Sequence, residues 1–319
     1  MLLLIGLAVR RIREHGPIGK LSQGEAVAGY LFALPWILGF LIFIIGPIVA
    51  SIVFSLCDYD VLHAARWVGL QNYRELLTDD WPLVSKTLYN AGFLAVFGLS
   101  LGLATGLAIA MLLNTKVGGM TWYRTVYFLP SIVPIVANAI LWVWVLNPEF
   151  GLINAAWRAT LTDWFGVAAP TWLASEQFAK PALVVMGLWG AGGGMILWLA
   201  GLQGIPQHLY EAADIDGASW WQRFRHVTIP MLTPYIFFNL IMGTIAVIQT
   251  FDTVYIMTGG GPVDSTLVPI LYLFNNAFRY FKMGYASALA WILFVVILVL
   301  TLIQLKLAPR WVHYEAEKR

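Results

Sequence analysis

The sequence predicts an all-α, polytopic membrane protein with about six transmembrane helices, and three observations carry that assignment. The chain of 319 residues is 60% hydrophobic and only 11% charged, with a mean hydropathy of +0.75, which leaves too little polar surface to face water. Six apolar runs each approach the roughly 20 residues that a helix needs to cross about 30 Å of hydrocarbon. The 15 Trp, 13 Tyr and 18 Phe suffice for an aromatic belt at both membrane interfaces.

Taken in order, residues 1–26 read as a cytoplasmic N-terminal tail. Its first nine residues are apolar and end at Arg10, Arg11 and Arg13, the reverse of a signal peptide's order, so they are expected to lie along the interface. The first span is expected at 27–56, bent by Pro35, Gly46 and Pro47. The second, at 88–113, carries Gly98, Gly102 and Gly106 as a small-residue stripe suited to close helix packing. The third, at 126–146, is broken by Pro130 and Pro134, and the fourth, at 182–202, contains Gly192, Gly193 and Gly194. The fifth is expected at 235–256 and the sixth at 286–305, and residues 308–319 form a C-terminal tail. One membrane domain, 27–307, accounts for the chain between the tails, with no internal repeat. With both termini inside, the inner segments hold 12 of the 19 Lys and Arg residues, so the positive-inside rule favours cytoplasmic termini.

Between the spans, WVGLQNYRELL alternates polar and apolar residues like a helix lying along the membrane. The 147–181 segment, with Trp157, Trp164, Phe165 and Trp172, reads as a compact interfacial cap. Thr258–Pro262, TGGGP, allows a sharp turn. The interval 203–234 is the densest in signals. Pro206 opens a short helix that Gly217 can close with positive φ, and Ser219 with Gln222 makes a capping-box pattern for a second helix, from near Trp220 to before Pro230. Glu211, Asp214 and Asp216 lie on the first part, Arg223 and Arg225 on the second; acids near a helix C-terminus oppose its dipole and call for basic neighbours or a partner. Pattern alone leaves two readings open, an interfacial helix with its tryptophans at headgroup level and a docking element.

Several chemistries are excluded. A net charge of +2 is too small to argue for nucleic acid, and Cys57, as the only cysteine, permits no intramolecular disulfide or cysteine metal site. The five His residues are scattered, with no HExxH and no clustered carboxylates, so no metal site is expected. No phosphate-binding loop occurs, because Leu21 follows Gly19 and Lys20 where Ser or Thr is required; the chain is not expected to be an enzyme. Apart from Asp252 the expected spans hold no charged residue, which argues against proton coupling and for an uncharged cargo. Ser131, Asn138, Thr244, Gln249 and Thr250 are polar positions within them. Such residues usually join helices, and they would also serve a hydroxyl-rich solute, with Trp142, Trp144, Trp189 and Phe251 available to stack on a sugar face.

EAADIDG, followed by the basic and aromatic helix and VTIP, resembles the permease subunits of binding-protein-dependent ABC importers. Glu211, Ala212, Ala213 and Gly217 match that family's pattern, while Val227 and Ile229 replace an Ile and a Leu before Pro230. VGLQNYREL, FLPSIVP (Phe128–Pro134), LYEAADIDGAS and QTFDTVYIMTGGGP (Gln249–Pro262) narrow the resemblance, which covers about 29–307, to carbohydrate-uptake permeases of the maltose type. The resemblance implies a multi-pass protein of the cytoplasmic (inner) membrane that translocates a sugar or related neutral polyol by alternating access. It implies two ATPase subunits, a second, different but homologous permease and an extracytoplasmic solute-binding protein. ATP and Mg would be used on the ATPase subunits, with no cofactor on this chain. The coupling helix would carry Glu211, Ala212, Ala213, Asp214, Asp216 and Gly217, with Trp221 and Phe224 beside it. Aligned solute contacts fall at or near Ser131, Ile135, Gly190, Gly193, Gly243, Val247 and Thr250; Asn138, Trp189, Gln249, Phe251 and Asp252 complete the expected substrate path. Two alternatives are a secondary transporter working without an ATPase and an ABC permease for a glycerol-phosphate-type solute. The latter would need a cationic site, and no Lys or Arg lies inside an expected span.

Overall fold

The computed structural model describes residues 20–115 and 117–313, with side chains from residue 28 onward. The expected interfacial segment 1–9, most of the N-terminal tail and the end of the C-terminal tail lie outside the described residues. The chain divides into two units, 1–54 and 55–319. Among the described residues the first is made of one helix, α1, whose apolar stretch runs Ala28–Ser55 and ends one residue past the boundary. It widens into a π turn at Leu41–Ile45, where the Gly46 amide bonds to the Leu41 carbonyl. Pro47 follows directly, so its ring enters a turn whose carbonyls are already displaced, and the helix runs on.

The second unit opens with a two-residue antiparallel pair, β1 (Cys57–Asp58) and β2 (Arg66–Trp67), the one departure from all-α among the described residues. The helices α2 (Gln71–Leu77), α3 (Trp81–Leu113), α4 (Met120–Ile132), α5 (Ile135–Val145), α6 (Leu152–Trp157) and α7 (Ala179–Trp189) come next. They are succeeded by α8 (Met195–Gly204), α9 (Gln207–Ile215), α10 (Trp220–Ile248), α11 (Asp252–Met257), α12 (Pro269–Phe274) and α13 (Met283–Leu307). Among the described residues four helices are long and apolar enough to cross a membrane, and six spans result if each bent pair, α4 with α5 and α7 with α8, counts as one.

The third span is broken by 94°. Pro134 excludes its predecessor from the helical region, and Val133 is extended at φ −66, ψ 127, so α5 starts afresh at Ile135. The fourth bends by 45° around a tight turn at Ala191–Gly194. Here the glycines serve close approach: a β-carbon on Gly192 would overlap the Tyr127 carbonyl, and one on Gly193 would sit 2.9 Å from Ser131 Cβ. The fifth departs most from expectation. The helix expected to end before Pro230 does not end, and α10 runs unbroken through Pro230 and Pro234 to Ile248. A π turn at Phe224–Thr228, in which the Ile229 amide reaches back to the Phe224 carbonyl, precedes Pro230 as the corresponding turn precedes Pro47. The helix stops instead at Gln249, and α11 begins after Phe251.

Two apolar clusters lie along α3. One gathers Val84, Leu94, Trp142, Leu183, Val254, Leu271 and Leu289 from six helices; the other packs Leu107, Ala110 and Leu113 on Trp198, Leu202 and Leu232. The expected glycine stripe divides between two roles. Gly106 admits the Trp198 indole, 3.1 Å from where a β-carbon would lie, whereas nothing comes within 4 Å of such an atom at Gly102. The α12 helix, unforeseen in the sequence, is tied to the start of α3 through Tyr272, whose hydroxyl lies 2.9 Å from that of Tyr285, which donates to Asp80 at 2.5 Å. The interfacial cap is organised by Asn154, which donates to the Pro148 and Pro170 carbonyls and accepts from the Trp172 indole at 2.7 Å. Gly192→Ala is expected to destabilise the purified protein by about 1–3 kcal/mol through overpacking against α4. Gly102→Ala is expected to be near neutral, and thermal unfolding of the two variants in detergent compares them.

Candidate functional site

Two features stand out, an exposed acidic turn and a central cavity. The turn is built by local rules. Helix α9 ends in a Schellman motif: Gly217 takes φ 71, its amide bonds to the Asp214 carbonyl at 3.1 Å, and the Ala218 amide bonds to Ala213 at 2.9 Å. Ser219 then caps α10. Its amide donates to Gln222 Oε1 at 2.7 Å, and its hydroxyl accepts from the Gln222 amide, the reciprocal capping box expected from the pattern. Leu209 and Tyr210 face the second apolar cluster, and the Tyr210 hydroxyl lies 3.0 Å from that of Thr228, so α9 is seated on the base of α10. Glu211, Ala212, Asp214, Ile215 and Asp216 point outward, with Ala213 half-buried. Arg223 pairs with Asp214 at 2.5 Å, supplying the basic neighbour that the helix end required; at this exposure the pair contributes at most about 1 kcal/mol. Glu211 and Asp216 form no ion pair among the described residues. Trp220 and Phe224 stack with their planes 3° apart, and Trp221 lies against Phe224 at 5.3 Å.

The cavity, about 380 Å³, lies on α3 between the two apolar clusters. Ile135 and Asn138 from α5, Gly190 at the end of α7, and Val247 and Thr250 around the end of α10 line it, as do Gly98, Gly102, Gly187 and Thr253. All three helix breaks, at Val133–Pro134, Gly190–Gly194 and Gln249–Phe251, therefore adjoin one space. Its side-chain polar groups are Asn138, Thr250 and Thr253, and no charged residue lines it.

The other expected path residues do not line this cavity. Ser131 and Gly193 pack on each other, and a β-carbon on Gly243 would run into Leu99. Trp189 meets Trp142 edge to face at 6.2 Å; Gln249 and Asp252 are exposed at the ends of α10 and α11. Phe251 stacks on Tyr255 at 5.2 Å and packs on Phe274. Thr253, Gly98, Gly102 and Gly187 were missed. Reading 235–256 as one helix hides the turn that brings Thr253 round beside Thr250, and glycines on a wall carry the same signature as glycines in a helix contact.

Residues 98–313 match the family described as the inner membrane component of binding-protein-dependent transport systems. The chain is 41% identical over 301 residues to the probable ABC transporter permease protein YesP of Bacillus subtilis, covering 92% of this chain and 94% of that one. It is 36% identical over 297 residues to the trehalose/maltose transport system permease protein MalF of Thermococcus litoralis, covering 92% and 97%. In fold it matches, with a TM-score of 0.76 at 23% identity, a chain of a bacterial alginate ABC transporter crystallised with an alginate pentasaccharide-bound periplasmic protein, covering 90% of this chain and 96% of that chain. The chain belongs to this family of ABC transporter permeases, membrane-spanning proteins whose work is transport.

The acidic turn has a local test. Gly217→Ala forces a side chain into the left-handed region at a cost of about 1–2 kcal/mol, expected as a 5- to 30-fold rise in amide exchange at Gly217 and Ala218. Asp214→Ala, which removes only an exposed ion pair, is expected to change exchange by less than about fivefold.

Proposed function

We propose that this permease carries a saccharide or related polyol through the cavity, driven by ATPase subunits that dock on α9. One observation carries the reading: the exposed acidic turn and the cavity are joined by a single uninterrupted helix, α10, clamped to α9 at its base and reaching Val247 beside the cavity. A displacement of the turn would thus be delivered to the cavity wall as a rigid movement. In this reading both termini and α9 are cytoplasmic, in accord with the distribution of Lys and Arg. Glu211, Ala212, Ala213, Asp214, Asp216 and Gly217, with Trp221 and Phe224, form the docking surface. ATP and Mg belong to two ATPase subunits, a second, homologous permease completes the pathway, and an external solute-binding protein delivers the cargo. The uncharged lining and the clustered hydroxyls and amide of Thr250, Thr253 and Asn138 suit a polyhydroxyl solute, whose hydroxyls need partners of both donor and acceptor type.

Glu211→Lys and Gly217→Pro are expected to leave membrane insertion intact and abolish ATP-driven uptake. The first reverses charge on the docking face; the second demands φ near −65° where the chain takes +71. Uptake into proteoliposomes of the assembled complex is the measurement, and undiminished ATP-dependent uptake by both variants would refute the docking role. Gradient-driven transport by the purified chain alone would instead indicate a secondary transporter.

A further inference from the structure

Helix α7 begins earlier than the expected span, at Ala179, and so takes Lys180 into its first turn. Lys180 stands one turn before Leu183 and Val184 of the cavity wall, and Asn90 stands one turn before Leu94 on the facing side of α3. The two meet one turn outside the cavity wall: Lys180 Nζ donates to Asn90 Oδ1 at 3.2 Å. The Asn90 amide cannot turn away, because its Nδ2 donates to the Asp264 and Leu267 carbonyls, both at 2.9 Å. Lys180 Nζ also lies 4.6 Å from the Tyr89 ring centroid and 5.3 Å from that of Phe93.

The electrostatics of this arrangement are unfavourable in three ways. The ammonium sits at the N-terminal, positive end of a helix. A second ammonium, Lys86, one turn from Asn90 and bonded to the Val263 carbonyl, acts on it repulsively. Neither lysine forms an ion pair among the described residues. An ammonium has three N–H donors, and Asn90 takes only one. A cation held in place by neutral groups, without an ion pair among the described residues and one turn from the cavity wall, is the electrostatic complement of an anion that arrives through that cavity.

We infer that Lys180 receives the acid group of an anionic saccharide at the rim of the cavity, while the sugar hydroxyls engage the uncharged lining. The acid group, such as a carboxylate, would complete the coordination of the ammonium, and the exposed Tyr89 ring offers an apolar face to the pyranose. This inference rests on the reading of the cavity as a saccharide path and names the class of saccharide.

Binding of digalacturonate and of the equally linked neutral digalactose to the assembled complex, in nanodiscs of zwitterionic lipid so that no headgroup supplies the anion, tests it. The wild type is expected to prefer the acid by about tenfold at low salt, and to lose that preference as salt rises. Lys180→Gln is expected to bring the two affinities together, and Lys180→Arg to retain the preference. Equal binding of both sugars by the wild type, or an undiminished preference in Lys180→Gln, overturns the inference and leaves the saccharide reading standing. Binding of neither sugar counts against both. A lysine that only braces Asn90 would alter thermal stability in Lys180→Gln and leave the selectivity ratio where it was.

Discussion

Every backbone amide and carbonyl that enters hydrocarbon must find its partner within the protein, because an unpaired one costs several kcal/mol there. This constraint decides where the chain can be irregular. The three breaks, at Val133–Pro134, Gly190–Gly194 and Gln249–Phe251, meet around one cavity, where released backbone groups can turn to one another. Two of the five π turns among the described residues belong to the same logic. At Leu41–Ile45 and Phe224–Thr228 the helix redistributes its bonds ahead of a proline, and the span continues without exposing a cluster of unmet groups.

That continuity matters most in α10. Had the helix ended before Pro230, the acidic turn would hang on a loop, and movement of α9 would dissipate in it. Instead the capping box of Ser219, the Schellman turn at Gly217 and the contact between Tyr210 and Thr228 fix α9 to the base of a helix 29 residues long. Most of these contacts are worth only about 1 kcal/mol each, so their effect is geometric: together they remove the freedom between one end of the helix and the other.

The sequence made the membrane class, the helix-turn-helix around Gly217, its capping box and the break at Pro134 legible, because each follows from composition or from a backbone rule acting over a few residues. It did not show which prolines would interrupt a helix. Pro134 and Pro230 look alike locally, yet the residue before the first turns extended at Val133 while the helix runs on through the second after a π turn. The short α12 helix was hidden because its six residues are held by tertiary contacts, above all the chain from Tyr272 through Tyr285 to Asp80. Five of the twelve expected path residues, Ile135, Asn138, Gly190, Val247 and Thr250, reach the cavity wall. Gly193 and Gly243 do not, since spacing alone cannot separate a glycine that makes room for a neighbouring side chain from one that faces open space. The helix that holds Lys180 begins at Ala179, before the hydropathy rises, so the sequence leaves that residue outside the span.

The cavity owes its width to side chains that are not there. At Gly102 and Gly187 nothing stands within 4 Å of an added β-carbon, and at Gly190 only a backbone oxygen at 3.8 Å does, so these positions form a wall that can be built out one methyl or hydroxyl at a time without disturbing the helices behind it. Such a wall is an adjustable aperture. Alanine, serine or threonine at one of these places would trim the space or add a donor, while α10 and the acidic turn remain as they are. The shape of this surface can therefore drift through small steps, independently of the helices behind it.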